Sequence, residues 1–308
     1  MEGRDTLDRL TDIAADDVLP FAHRVSSEVR RRTDDAVLAW LGDDFEQRLA
    51  HVREYYASRG GDAFGFDLDT AKYALMVAAF FHRAYFRTTV HGIENVPQGR
   101  ALLICNHSGQ LPIDGMILCT SMFLDNDPPR IVRAMVEKWA PRLPFVGSFF
   151  TRCGQVVGVP DNCRRLLSMD ETVLVFPEGV RGITKPFSKR YQLERFGTGF
   201  MRLAVETHTP IIPVGLVGAE EQYVNLGNAD KVSKLLNIPA MPMIPQILVP
   251  GGAMPLPTHY HLYFGEPIPF SGDPDDDDAI VEDKVKVVRQ AVEGLIERGL
   301  RERKGVFR

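Results

Sequence analysis

ALLICNHSGQLPIDGMILCTSMFL, residues 101–124, holds three textures in succession. Ala101–Cys105 is an unbroken apolar run, as expected of a strand buried on both faces of a parallel sheet. A polar loop follows, punctuated by Gly109 and Pro112, and then an apolar stretch through Leu124 long enough for a helix. Strand, loop and helix in that order are the repeating unit of α/β domains. His107 and Asp114 lie in the loop with six residues between them. A carboxylate that holds an imidazole in one tautomer leaves the other nitrogen free to take a proton, which is how a general base works. Asp114 is equally well placed to cap the helix that follows. Seven positions along a straight helix span about 10.5 Å, so the pair meets only where Gly109 and Pro112 turn the loop back.

Outward from this stretch the alternation continues. RIVRAM (130–135), TVLVF (172–176) and PIIPVGLVG (210–218) read as strands; DNCRRLLSM (161–169) and GFMRLAVETH (199–208) read as helices. HYHLYFGEPIPF (259–270) alternates and reads as a late strand. The fold class expected is α/β, with a central, largely parallel or mixed sheet flanked by helices and an N-terminal helical segment. That segment, 1–66, is heavily charged, and Leu41, Phe45, Leu49 and Val52 recur at helical spacing until Gly60-Gly61 stops them. It reads as helices packed on the main domain, or as a partner or membrane contact. The rest, 67–308, reads as one domain. Its first helix, 67–88, opens on the capping residues DLDT and is apolar on most sides over YALMVAAFF, either buried or at a lipid interface. Its last, 279–304, carries Val281, Val285, Val288, Val292 and Leu295 as one stripe. Asp275–Asp278 fit the solvated start of that helix better than a metal site. Leu236–Pro257, rich in Pro and Met, excludes a long helix and suits a lid, a membrane-facing loop or irregular core cover.

The chain has 308 residues with 44% hydrophobic and 25% charged content, ordinary for a globular protein. A net charge of −5 argues against a nucleic-acid partner. Cys105, Cys119, Cys153 and Cys163 form no CxxC pair, so neither a disulfide framework nor a zinc site is expected, and a reduced, cytoplasmic setting is. The polar N-terminus is unlike a secretory signal, and YALMVAAFF is about half the roughly 20 residues of a spanning helix.

Three further stretches carry chemistry. VGSFFTRCG (146–154) offers Arg152, whose planar fork suits phosphate or carboxylate, or a structural ion pair. TVLVFPEGVRGITKPF (172–187) runs a strand into Glu178, Gly179 and Arg181, at the strand end where α/β sheets bind ligands. It lacks the phosphate-cradling GxxxxGK[ST] pattern, and Glu178 beside Arg181 also fits a local ion pair. Pro213 interrupts PIIPVGL, marking an edge strand or a functional irregularity.

Taken in order, NHSGQLPID, GSFFTR, FPEGVRG and PIIPVGL resemble the four blocks of the glycerolipid (lysophosphatidic acid type) acyltransferase family. The resemblance covers about Arg87 to Phe270. It implies an α/β domain at the inner face of the cell membrane, peripherally bound, that moves a fatty acyl group from a coenzyme A or acyl carrier protein thioester to a hydroxyl. That thioester is a co-substrate; no metal or cofactor is expected. By position, His107 corresponds to the general base and Asp114 to its orienting partner. Arg152, Glu178, Gly179 and Arg181 correspond to residues assigned to the acceptor, and Pro213 to one linked to the acyl donor and local shape. One departure bears on the substrate. The family's first block has four residues between His and Asp, whereas this chain has six and resembles the diacylglycerol-acyltransferase-like branch. A lysophospholipid or lysophosphatidic acid acceptor is expected, with diacylglycerol or a fatty alcohol as the alternative. The rivals are transfer through Cys105, a thioesterase, and a non-catalytic acyl-lipid binding protein.

Overall fold

The computed structural model describes residues 40–109, 111–139, 145–229 and 242–308, apart from the side chain of Asp43. The charged segment before residue 40 and the first part of the Pro/Met-rich stretch, through residue 241, lie outside the described residues. The contacts divide the chain into two units between Gln47 and Arg48. The division falls inside helix α1, Asp43–Ser58.

The larger unit is organised on seven strands: β1 Thr89–His91, β2 Ala101–Cys105, β3 Val132–Val136, β4 Val156–Val157, β5 Thr172–Val175, β6 Ile211–Val217 and β7 His261–Phe264. They form one sheet in the order β1-β7-β6-β2-β5-β3-β4. Every neighbouring pair is parallel except β6 and β7. This is the mixed α/β sheet expected. β2 and β6 are buried at every position, which explains their unbroken apolar sequences.

Helices cover both faces. On one side Leu102, Ile104, Val173 and Ile211 meet α5 (Pro160–Ser168), α7 (Gly199–Thr207) and α8 (Asp278–Glu302). On the other, Leu103, Cys105, Leu174, Ile212 and Val214 meet α3, Ile113–Leu124, through Ile117, Leu118 and Met122. Each such side chain removed from water contributes about 1.5–3 kcal/mol. The buried stripe of α8 is Val281, Val285, Val288, Val292, Ile296 and Gly299, so Leu295 stands at its margin. The helix lies close over the sheet because Gly215 and Gly299 have no Cβ: one on Gly215 would sit 2.6 Å from Leu295 Cβ, one on Gly299 2.8 Å from Tyr263 Cε2. At its start Asp276 pairs with Lys284 and Asp278 with Arg202. Among the described residues no cluster of His, Cys, Asp and Glu is arranged to hold a metal.

Helix α2, Leu68–Phe80, is capped by Asp67, whose carboxylate accepts from the Asp69 N–H and the Thr70 hydroxyl. It passes into a π-helical turn, Phe81–Tyr85, where His82 is buried with Nε2 2.9 Å from Ser121 Oγ on α3. The helix is buried along one side and open along another. Ala71, Met76, Ala78 and Ala79 are buried, while Tyr73, Val77 and Phe80 are exposed. No described helix is long and apolar enough to cross a membrane. Of the Pro/Met-rich stretch, the described part holds an isolated bridge from Pro242 to Asn228 and a short 3-10 helix, Pro245–Leu248.

Pro213 corrects an expectation. It lies not on an edge but in β6, between β2 and β7. Its carbonyl accepts from the Gly265 N–H at 2.8 Å, one residue beyond β7, so the missing donor falls where the β6–β7 ladder ends and costs at most one bond.

Candidate active site

The carboxyl ends of β2, β5 and β6 converge, and each continues into a loop that carries polar side chains. Asn106 follows β2. Its side chain donates to the Leu216 carbonyl at 3.0 Å and accepts from the Leu216 N–H at 2.8 Å, completing the ladder that the turning backbone abandons. Gly109 then takes φ +74°, and a Cβ there would lie 2.0 Å from Gln222 Nε2. That sharp turn brings the chain back to α3. His107 Nδ1 lies 2.7 Å from Asp114 Oδ2, so the six-residue loop does close the pair.

Asp114 is not the N-cap of α3: Pro112 holds that position and Asp114 lies in the first turn. Its carboxylate is fully buried and accepts from the Ser108 N–H at 2.8 Å and the Gly115 N–H at 2.7 Å as well as from His107. A carboxylate only accepts, so Nδ1 carries the imidazole proton and Nε2 presents a lone pair. The ring stacks on Phe176 at 4.1 Å and 16°. The side chain is 15% exposed, and among the described residues Nε2 has no partner.

Behind His107 lies a buried ionic cluster. The His107 backbone N–H donates to Glu178 Oε1 at 2.9 Å, and the Glu194 N–H donates to Glu178 Oε2 at 2.7 Å. Lys185 Nζ lies 3.5 Å from Glu178 Oε2 and 3.1 Å from Glu220 Oε1. Glu178 therefore pairs with Lys185 and not, as the sequence suggested, with Arg181, whose guanidinium donates to the Arg195 carbonyl at 2.9 Å. Burial, opposed by Lys185, pushes the Glu220 carboxyl up to about 7. Gly109, Gly182, Lys185, Phe187, Glu220 and Tyr223 line a small cleft beside the loop.

The structure thus gathers His107, Asp114 and Glu178, with Gly179 starting the short helix α6, Val180–Ile183, that carries Arg181. Arg181 is exposed one residue from Gly182, which abuts His107. Arg152 does not join them among the described residues. It ends helix α4, Val146–Arg152, is exposed, and lies near Asp67, whose acidity is raised first by Thr70 and also by the Arg152 charge. Pro213 pairs in register with Ile104, three residues before His107. Cys105 is fully buried, and burial together with the Asp114 and Glu178 charges pushes its thiol far up, away from the nucleophilic form. Asn106 and Glu220 escaped sequence reasoning. A polar Asn directly after five apolar residues was the available signal for the first.

The chain is 34% identical over 254 residues to the uncharacterized protein ML2427 of Mycobacterium leprae, covering 80% of this chain and 69% of that protein. It is 33% identical over 278 residues to the uncharacterized protein Rv0502 of Mycobacterium tuberculosis, covering 86% and 78%. Residues 87–217, which hold His107, Asp114, Arg152, Glu178 and Pro213, match the family model for Acyltransferase. The chain belongs to the Acyltransferase family. A more distant relative of this acyltransferase is the DGAT1/2-independent enzyme synthesizing storage lipids of Homo sapiens, 24% identical over 68% of this chain and 60% of that protein. The crystal structure of the 1-acyl-sn-glycerophosphate (LPA) acyltransferase PlsC from Thermotoga maritima is similar at a TM-score of 0.49 and 20% identity, covering 76% of this chain and 83% of that chain.

Two expected results follow from the packing of the acyltransferase site. A Cβ on Gly182 would lie 2.8 Å from both His107 Cβ and the His107 carbonyl oxygen, and 3.0 Å from Glu178 Cβ. Gly182→Ala therefore has to displace the His107 loop, and kcat should fall about 10–100-fold in steady-state assays of the folded variant. Glu220 gives the second. In the folded acyltransferase its carboxyl keeps a proton up to about 7, against 4.5 ordinarily. That contribution to stability is complete below 4.5 and is lost as pH rises through 7. Urea denaturation of Glu220→Gln should lack this downward slope. His261, which burial lowers to about 4, adds an opposite slope common to both proteins, so it cancels in the difference.

Proposed function

We propose that this acyltransferase moves a fatty acyl group from an acyl-CoA or acyl-ACP thioester to a free hydroxyl of a lysophospholipid or lysophosphatidic acid, with His107 as general base. The observation that carries this reading is the 2.7 Å contact between His107 Nδ1 and Asp114 Oδ2, which leaves Nε2 as the nitrogen not bound to the carboxylate. Nε2 takes the acceptor's hydroxyl proton as that oxygen attacks the thioester carbonyl carbon. The carbon–sulfur bond of the tetrahedral intermediate then breaks, and the imidazolium returns the proton to the departing thiolate. Asp114 stabilises the charged ring between the two steps. No covalent acyl-enzyme is formed. Burial of the Cys105 thiol supports this, because a thiolate there is strongly disfavoured.

The phosphate-bearing acceptor is supported by Arg181, exposed on the turn beside His107, whose fork suits a phosphate. Arg152 corresponds to a second acceptor residue by resemblance alone. A neutral acceptor, diacylglycerol or a fatty alcohol, is favoured by the six-residue His–Asp spacing and by the similarity to the DGAT1/2-independent enzyme synthesizing storage lipids. Mass spectrometry of products formed from mixed acyl thioesters with lysophosphatidic acid, lysophospholipid, diacylglycerol and fatty alcohol separates the two. An acylated phosphate-bearing product supports the first reading, and acylation of the neutral acceptors alone supports the second. Thioester binding without product over the whole panel would leave a non-catalytic lipid-binding protein.

The same proposal includes peripheral attachment to the inner face of the cell membrane. Tyr73, Val77 and Phe80 are exposed along one side of α2, and Ile247, Leu248, Val249 and Met254 are exposed on the segment after β6. The two regions are tied together: Tyr85 donates to the Pro255 carbonyl and Arg87 to the Pro257 carbonyl, both at 2.6 Å. Lys72, Arg83 and Arg87 add positive charge suited to anionic headgroups. In flotation with anionic vesicles the wild-type protein should rise with the lipid. The double variant Leu248→Asp, Val249→Asp should remain in solution with an unchanged circular dichroism spectrum.

A further inference from the structure

We propose that Lys185 and Glu220 are positioning residues for acyl transfer, acting through Glu178 on the backbone of His107. The inference rests on the acyl-transfer reading above and adds residues to it. Among the described residues neither side chain is hydrogen-bonded to the imidazole. What they control is the Glu178 carboxylate, whose Oε1 holds the His107 N–H at 2.9 Å and whose Oε2 holds the Glu194 N–H at 2.7 Å. Lys185 stands between the two acids, 3.5 Å from Glu178 and 3.1 Å from Glu220, and also donates to the Gln192 carbonyl at 2.9 Å. Glu220 Oε2 accepts in turn from the Tyr191 N–H at 2.9 Å.

The side chains of Glu178, Lys185 and Glu220 are 0%, 3% and 6% exposed, so water does little to replace a lost partner. The cluster joins the loop after β2 to the segment after β5 and to the turn after β6, the three places from which the site is built. Without the ammonium, the Glu178 carboxylate would be left buried with no cation beside it, and burial then favours its neutral form. A protonated Glu178 is a poorer acceptor, and the His107 N–H loses its charge-assisted bond. The ring then moves relative to the acceptor oxygen. A displacement of about 1 Å costs on the order of 10²-fold in rate without any loss of substrate contact.

The experiment compares wild type, Lys185→Met and the double variant Lys185→Met, Glu220→Gln, which removes the second buried acid if the single change prevents folding and still leaves Glu178 without its cation. kcat and KM are measured with the best thioester and acceptor pair, and the His107 amide is followed by 15N-edited NMR. The expected result is a fall in kcat of about 10–100-fold with KM within about twofold. The His107 amide proton should also shift upfield and exchange faster with solvent. Unchanged kcat in a folded variant, a loss carried by KM alone, or failure of both variants to fold would overturn the proposal. Wild-type protein that transfers no acyl group would instead count against acyl transfer itself, and the amide resonance would still report on the cluster.

Discussion

Replacement of His107 by alanine is expected to lower kcat by about 10²–10⁴-fold with little change in KM. Among the described residues the ring makes a hydrogen bond at 2.7 Å to Asp114 and a stacking contact at 4.1 Å to Phe176. Asp114 keeps two backbone donors, from Ser108 and Gly115, when the ring is gone, so the loop retains most of its order. Circular dichroism should therefore be unchanged while steady-state turnover collapses. The loss belongs to the transition state, where the proton moves, and binding of either substrate does not use it.

Asp114→Asn should be nearly as damaging, about 10³–10⁴-fold in kcat, for a different reason. Asp114 Oδ1 accepts from Gly115 N–H, and Oδ2 from both Ser108 N–H and His107 Nδ1. An amide offers one oxygen and one NH2 group, and whichever way it turns, the NH2 faces at least one N–H donor. With the NH2 toward His107, Nδ1 must accept and the proton moves to Nε2, so the base is already occupied. With the NH2 toward Gly115, a buried donor is left unsatisfied at a cost of about 1–3 kcal/mol. Activity and stability are thus expected to fall together. Kinetics paired with urea denaturation measures both, and a fully active, fully stable Asp114→Asn protein would contradict the orienting role.

The sheet was legible where strands are buried on both faces. β2, β5 and β6 are continuous apolar runs because neither side of the strand meets water. β1 and β4, with three and two residues, are too short to show a period. The α8 stripe was legible at four of its valines, but its course over Gly215 and Gly299 depends on residues across the fold. In the site, His107 and Asp114 were readable because the pair and its breakers, Gly109 and Pro112, are neighbours in sequence. Asn106 acts on Leu216, 110 positions away, and Glu178 on His107, 71 positions away. No local pattern encodes such partners. Glu178 beside Arg181 shows the opposite error, adjacency in sequence without pairing in space. Of the two readings of Pro213 the edge strand fails, because the rule about proline in ladders concerns which side the missing N–H faces, and only the register with β7 decides that.

The Glu178–Lys185–Glu220 cluster also explains how a loop can carry a base. Loops are the mobile part of an α/β fold, and a base needs a fixed position relative to its proton donor. Here the backbone at His107 is held by Glu178, its side chain by Asp114, and the preceding residue by Leu216. The ring keeps one open nitrogen.

The most direct test of acyl transfer at His107 is a single-turnover reaction with an acyl thioester labelled in its acyl chain, analysed by mass spectrometry for lipid and protein together. The expected result is label on the acceptor hydroxyl with wild-type protein, none on the protein at any time, and no labelled lipid with His107→Ala. Labelled lipid formed at the wild-type rate by His107→Ala, or an acyl group trapped on Cys105, would contradict it.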